Sequence, residues 1–227
     1  MCLLPSPDTF PSPPSSSPTL PPTFVPKDAL SLAAYSLASS HLHPTILNHS
    51  IRVFLYAKLI AASEANAYAS GYLTAEKNLA LLFTACILHD IGTTPSHNGT
   101  QRFEVCGGDA AYTLLTSPPH SPTYSEADAH SVWTAISLHT SPGIAERIHP
   151  LSKLVRAAVL SDFHRGVEIN KDFEKEFPRL GIEKVLGDAV VEQAVSRPEK
   201  ARMATWAGVM LRSYEENPGW QGVNKGF

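Results

Sequence analysis

Several histidines and aspartates of this chain fall where a helix would place apolar side chains. His49 shares a helical stripe with Ile46 and Val53, for example, and Asp162 shares one with Leu151. The polar members of these stripes are His49, His89 with the adjacent Asp90, His139 and Asp162. A buried aspartate is costly unless it is paired or binds a metal. Coordination of one divalent cation is therefore the arrangement that buries three histidines and two aspartates in one small core at the lowest cost in free energy.

A simpler interpretation competes with a metal site. A single histidine on an apolar face is most often an ordinary core residue, and the dipeptide His-Asp is weak evidence by itself. The context favours the metal hypothesis, because His89-Asp90 ends an apolar helical run and the inward-facing His49 lies 40 residues earlier. Ligation by both imidazole and carboxylate, with a position left open, is typical of a catalytic metal rather than a structural one.

The composition is that of a chain able to build a packed core. Of its 227 residues, 43% are hydrophobic and 17% are charged, which argues against a disordered chain and against a coiled coil. A net charge of −3 argues against a nucleic-acid partner, and no apolar run is long enough to predict a membrane span. The three cysteines form no CxxC pair and the first residues resemble no secretory signal, so we expect a cytoplasmic or nuclear location.

The elements that must position the candidate residues are predicted to be helices. Residues 1–26 hold nine of the 19 prolines, which predicts a disordered Pro/Ser-rich tail. From 27 to 227 the apolar spacing is helical almost throughout, without strand-period alternation or internal repeats. Pro44 and Pro150 suit the first turn of a helix, and Pro198 is predicted to open the last long one. The expected fold class is all-α, a compact multi-helix domain.

The candidate residues resemble the H…HD…D signature of the HD-domain metalloenzymes, an all-helical superfamily. The surrounding segments look closest to the fungal cyanamide hydratases, and they are HDIGTT at 89–94, RFEVCGG at 102–108 and WTAISLHT at 133–140. The resemblance covers most of the chain after residue 40. It implies that His49, His89, Asp90 and Asp162 are metal ligands, that the metal is Zn²⁺, and that cyanamide is hydrated to urea. Iron and manganese stay open, because imidazole and carboxylate suit them too.

Other polar residues near the motif suggest further roles in such a reaction. His139 is the candidate for handling a proton. Its alternatives are a ligand to a second metal, with His120 as companion, or an inert core histidine. Thr93, Thr94 and His97 follow the HD pair and are expected to line the entrance for a small-molecule substrate; a polar surface loop is the alternative.

Several other functions compete with the hydration of cyanamide. A phosphohydrolase acting on a nucleotide needs converging basic residues, and Arg52, Arg102 and Arg165 form no cluster at helical spacing. A hydratase for another small nitrile or an isocyanide is a second alternative. An interaction module that uses the proline-rich tail is a third, although the complete ligand set argues against it. Glu104 is expected to pair with Arg52 or Arg102, and a symmetric homo-oligomer stays open.

Overall fold

The computed structural model describes residues 22–63, 68–166 and 172–227. Within these ranges every regular element is helical and no strand is present, which confirms the predicted all-α class. The α-helices are α1 Ala29–His41, α2 Pro44–Ala62, α3 Gly71–Thr74, α4 Glu76–Leu88, α5 Phe103–Thr116, α6 Glu126–Leu138, α7 Ala145–Ile148, α8 Pro150–Asp162, α9 Asp172–Glu176, α10 Ile182–Ser196 and α11 Trp206–Glu216. None of these helices combines the length and apolar content needed to cross a bilayer.

Local signals start the helices that carry the candidate residues. Pro44 and Pro150 occupy the first turns of α2 and α8, as predicted, where a missing N–H costs no helical hydrogen bond. Ser125 caps α6 and forms a reciprocal capping box with Asp128. The first N–H groups of a helix have no partner within the helix. In α2 and α8 the proline removes one of these groups, and in α6 the Ser125 side chain accepts a hydrogen bond from one.

The hydrophobic core lies between α2, α4, α6 and α8. α2 packs against both α4 and α8, and α6 packs against α4, α5 and α8. The side chains between these helices are apolar and fully buried, among them Phe54, Phe83, Leu88, Ile136 and Leu154. The helices that carry or directly precede His49, His89, His139 and Asp162 therefore surround the hydrophobic core.

Gly92 sits where the chain leaving α4 passes closest to α5. A Cβ atom at this position would lie 2.0 Å from the carbonyl oxygen of Phe103 and 2.8 Å from the nitrogen of Gly107. Gln193 of α10 also donates a hydrogen bond to the Gly92 carbonyl at 2.9 Å. The missing side chain of Gly92 therefore allows the turn after Asp90 to contact the backbone of α5 directly.

Apolar packing begins before residue 27, where the sequence analysis expects the folded domain to start. Val25 is 5% exposed and belongs to the core, and the ring of Phe24 packs edge-on against Tyr35 and Phe177. Apolar side chains thus join the domain before residue 27, within a segment that its proline content assigned to the tail. The rest of the predicted tail, residues 1–21, lies outside the described residues.

The prediction that Pro198 opens the last long helix is wrong. Pro198 opens only a 3-10 turn, Pro198–Lys200, and α11 begins at Trp206. Thr205 caps this helix, because its hydroxyl oxygen accepts a hydrogen bond from the Gly208 N–H at 3.1 Å. Proline is compatible with the first turn of either helix type, so it does not predict how long the helix will be.

Candidate metal centre

Three buried side chains converge where the second turn of α2 meets the end of α4. His49 Nε2 lies 3.1 Å from His89 Nε2 and 3.6 Å from Asp90 Oδ2, and His89 Nε2 lies 3.1 Å from the same carboxylate oxygen. All three residues are fully buried. Their candidate ligand atoms all lie within 4.8 Å of one another, so a single ion can contact all three. The structure thus brings together three of the four predicted metal ligands.

Hydrogen bonds on the far side of the two imidazole rings determine which nitrogen faces the centre. His89 Nδ1 lies 2.7 Å from the carbonyl oxygen of Cys86, and His49 Nδ1 lies 2.7 Å from Oδ2 of Asp162. Because carbonyl and carboxylate oxygens only accept, each Nδ1 carries the proton and donates it. In the neutral rings each Nε2 therefore directs a lone pair into the centre, as metal-binding histidines do.

Asp90 completes a group of donors that suits a divalent metal. Both of its carboxylate oxygens are buried, and neither makes a hydrogen bond among the described residues. A carboxylate and two Nε2 lone pairs separated by 3.1 to 3.6 Å repel one another unless a proton or a cation lies between them. Two imidazoles and a carboxylate are a donor set that zinc, iron and manganese accept. His49, His89 and Asp90 would hold such an ion.

The charges around the centre favour a cation. Burial by itself lowers the pKa of His89, but the Asp90 carboxylate, the Cys86 carbonyl and Asp162 together outweigh burial and raise that pKa above its ordinary value. Burial likewise works to raise the pKa of Asp90, but His89 and His139 hold it well below its ordinary value. Asp90 is therefore anionic at neutral pH, and its negative charge attracts positive charge into the centre.

Asp162, the fourth predicted ligand, lies behind His49. Its Oδ2 accepts from His49 Nδ1, while Arg52 donates from Nε to Oδ1 at 2.6 Å and from Nη2 to Oδ2 at 2.8 Å. Arg52 is fully buried and pairs with Asp162. Glu104 accepts a hydrogen bond from the Thr140 hydroxyl, and its carboxylate lies 3.9 Å from Nε of Arg102, the other partner expected for it. Both Asp162 oxygens are thus engaged, and in this arrangement they orient His49. The assignment of Asp162 as a direct ligand stays a prediction.

His139 approaches the centre from the end of α6. Its Nδ1 lies 2.7 Å from the carbonyl oxygen of Ile136, so Nδ1 is the donor and Nε2 carries the lone pair of the neutral ring. This Nε2 lies 3.5 Å from Asp90 Oδ1. Arg156 also donates a hydrogen bond to the His139 carbonyl oxygen at 2.9 Å. His139 is thus fixed beside the three candidate ligands, with Nε2 facing the Asp90 carboxylate.

A cavity of about 580 Å³ opens onto these donors. His49, His89, Asp90 and His139 form one part of its lining. Another part is apolar and consists of side chains from α8, α10, α11 and the segments beside them, namely Val159, Leu160, Phe163, Leu186, Trp206, Val209 and Phe227. A small molecule in this cavity can therefore reach the metal-binding atoms although the residues that carry them are buried.

Three arginines, Arg102, Arg156 and Arg165, also line the cavity. Arg102 donates to the Ser137 carbonyl oxygen and Arg156 to that of His139, both at 2.9 Å, so these two guanidinium groups bind the carboxyl end of α6. Arg165 donates to another main-chain carbonyl at 3.0 Å. Each guanidinium has further N–H groups, so all three keep some capacity to bind a ligand. Helical spacing does not reveal this grouping, because the arginines come from three separate segments.

The residues predicted to line the entrance do not line this cavity. The hydroxyls of Thr93 and Thr94 each donate to a main-chain carbonyl three residues earlier, at 2.7 Å. The ring of His97 packs against that of His41 and faces a different surface depression. Two successive 3-10 turns after the HD pair place these residues away from the metal-binding atoms. His120, the companion proposed for a second metal, is also absent from the lining.

Aromatic residues that the sequence analysis missed form part of the cavity. The ring centroid of Phe163 lies 4.8 Å from that of His49 and 5.1 Å from that of Phe227, which in turn lies 5.5 Å from Trp206. We call Phe163, Trp206 and Phe227 the aromatic wall. The position of Phe163 could have been predicted, because this residue directly follows the candidate ligand Asp162. The other two are distant from the motif along the chain, and no spacing rule predicts their approach.

Comparison with protein-family models matches the HD domain over residues 46–162, just over half of the chain. No curated protein matches the sequence. The matched range contains the three converging residues His49, His89 and Asp90 and ends at Asp162. The family match agrees with the all-helical fold and with the buried donor set. The chain therefore belongs to the HD-domain family, whose members are typically metal-dependent hydrolases.

Proposed function

We propose that this protein is a zinc-dependent hydratase that adds water to the nitrile of cyanamide and gives urea. The observation that carries the proposal is the position of His139, whose Nε2 lies beside the three metal-binding residues and within the same cavity. A nitrile needs both an activated water and a proton for its nitrogen. The resemblance of residues 89–94, 102–108 and 133–140 to the fungal cyanamide hydratases supports cyanamide as the substrate.

A bound divalent ion supplies Lewis-acid chemistry, because it lowers the pKa of a coordinated water to about 7. His49, His89 and Asp90 would hold the ion, and Asp162 keeps the His49 ring in its orientation through Nδ1. As oxygen adds to the nitrile carbon, negative charge develops on the nitrile nitrogen, which must be protonated. The Nε2 lone pair of His139 takes up the proton that the attacking water loses, and His139 then passes it to the nitrile nitrogen. The isourea that results tautomerises to urea, so cyanamide and water are fully accounted for.

The lining of the cavity supports a neutral substrate. Its arginines already bind carbonyl oxygens of the protein, and Arg156 Nε also lies 3.4 Å from Glu146 Oε1. Much of the remaining surface is apolar, and an uncharged molecule loses little solvation there. The addition of water to a nitrile also requires no clamp for a phosphate group.

The arginines favour one second candidate function, that of a metal-dependent phosphohydrolase acting on a nucleotide. Arg102, Arg156 and Arg165 keep N–H groups beyond those bound to the protein, and guanidinium groups suit phosphate oxygens. A cavity of about 580 Å³ also has the size of typical sites for larger ligands. The same metal-binding residues would serve both reactions.

The two functions are separated by their products. Zinc-loaded protein is incubated with cyanamide and, in parallel, with a panel of nucleoside mono- and triphosphates, and urea and inorganic phosphate are measured. We expect zinc-dependent urea formation that chelation abolishes and zinc restores. His89→Ala should abolish it, whereas His130→Ala should not, because that imidazole is 62% exposed and remote from the cavity. Phosphate release without urea would replace the hydratase by the second candidate.

A further inference from the structure

The cavity is much larger than cyanamide. Cyanamide has three non-hydrogen atoms, and even the share of about 30 Å³ that one water molecule occupies in the liquid gives at most about 90 Å³ for three such atoms. The cavity measures about 580 Å³. Cyanamide alone therefore leaves most of this space to water, and little of the surface that a binding site normally covers would contact the substrate.

The aromatic wall continues directly from the metal-binding residues. Phe163 contacts the ring of His49, Phe227 follows at 5.1 Å and Trp206 at a further 5.5 Å, with interplanar angles of 73° and 80° for the last two pairs. Edge-to-face arrays of this kind attract further aromatic rings, since ring pairs are favourable at 4.5–7 Å. An aromatic group bound next to the metal-binding residues would thus add to an existing array.

The mouth of the cavity is also apolar. Ile144, Met203 and Val209 line the cavity, and their exposed fractions are 55%, 75% and 37%. Large hydrophobic side chains that surround a cavity and remain exposed mark a surface that an apolar ligand covers. Val209 lies one turn after Trp206 on α11, whereas Ile144 and Met203 reach the cavity from the loops before α7 and α11.

On the basis of the proposed hydratase function, we propose that the substrates are N-substituted cyanamides, R–NH–C≡N, in which R is an aromatic or similarly bulky apolar group. The nitrile lies at the metal-binding residues and R lies against the aromatic wall. One C–O bond forms, one π bond of the nitrile breaks, and its nitrogen takes up a proton. Tautomerisation then gives the substituted urea R–NH–CO–NH₂, with water as the other reactant.

The test compares phenylcyanamide with cyanamide as substrates of the zinc-loaded full chain. Burial of a phenyl ring against an apolar wall predicts a kcat/KM for phenylcyanamide about 10- to 100-fold higher than for cyanamide. Two variants probe the cavity itself: Val209→Trp fills space at the mouth, and Met203→Glu places a charge there. Both should lower the ratio of the two kcat/KM values by about tenfold or more. Val195→Trp, at an exposed position outside the cavity, should leave the ratio unchanged.

The outcomes distinguish this inference from the function on which it rests. Hydration of cyanamide with an equal or lower kcat/KM for phenylcyanamide overturns the substrate class and leaves the hydratase. An unchanged ratio in both folded variants overturns the position proposed for the substituent. If zinc-loaded protein hydrates neither compound, the hydratase itself is wrong, and the substituted substrates are refuted with it.

Discussion

Replacement of Asp162 by asparagine tests how the centre is held together. Asparagine keeps the shape of the side chain but turns one hydrogen-bond acceptor into a donor. Asp162 Oδ2 accepts from His49 Nδ1 and from Arg52 Nη2, and Oδ1 accepts from Arg52 Nε. In either orientation of the amide, its NH₂ group therefore meets an N–H donor. The change also removes the carboxylate that neutralises the buried Arg52, while Arg179 adds a second cation 3.7 Å away.

Two magnitudes follow from these contacts. Loss of one partner of a buried ion pair costs about 3–5 kcal/mol, so we expect the free energy of unfolding of the metal-free protein to fall by about this amount. Loss of a hydrogen bond that orients a metal-binding histidine lowers metal affinity by about 10- to 100-fold. Asp162→Asn should therefore be much less stable, yet still bind zinc when zinc is in excess.

Denaturant unfolding of chelator-treated protein measures the first effect, and zinc titration against a competing chelator measures the second. Asp188→Asn is the matched control. It breaks the Asp188–Lys184 pair, whose carboxylate side is 58% exposed, and should change the unfolding free energy by less than about 0.5 kcal/mol. If Asp162→Asn has the same unfolding free energy as the wild-type protein, the buried Arg52–Asp162 pair does not stabilise the fold and the reasoning is refuted. Folded Asp162→Asn that binds no zinc at millimolar concentration would make Asp162 a direct ligand instead.

Three other predictions follow from the fold and the site. Gly92→Ala should lower the free energy of unfolding by about 3 kcal/mol in denaturant titrations, because its Cβ meets main-chain atoms, and an unchanged midpoint would contradict this packing. Removal of residues 1–26 should lower the free energy of unfolding by about 2–4 kcal/mol more than removal of residues 1–21, because only the longer deletion takes away the buried Val25. Equal melting curves for the two deletions would show that residues 22–26 add no stability. His139→Gln should lower kcat about 10²- to 10⁴-fold while zinc content stays stoichiometric, and loss of zinc would make His139 a ligand.

The helical period predicted that the candidate side chains face the core, because it depends on local geometry. His49, His89 and His139 continue apolar stripes, and the structure buries all three, with Asp90, around one end of the core. The partner of Asp162 was not predictable in the same way. Arg52 lies one helical turn from His49, and the sequence suggested Glu104 as its partner. Only the packing of α2 against α8 brings its guanidinium to Asp162.

The cavity is less predictable than the donor set for a related reason. The candidate metal-binding atoms come from residues 46–162, the range that matches the HD domain, so the family's motif identifies the residues that carry them. Trp206, Val209 and Phe227 lie outside this range and reach the cavity through the packing of α10, α11 and the segment after α11. Membership of the family therefore predicts that a metal is bound and that water is activated. With the substituent in the proposed position, the choice of substrate depends on side chains outside the matched range, so exchanging Val209 should change specificity without loss of bound metal.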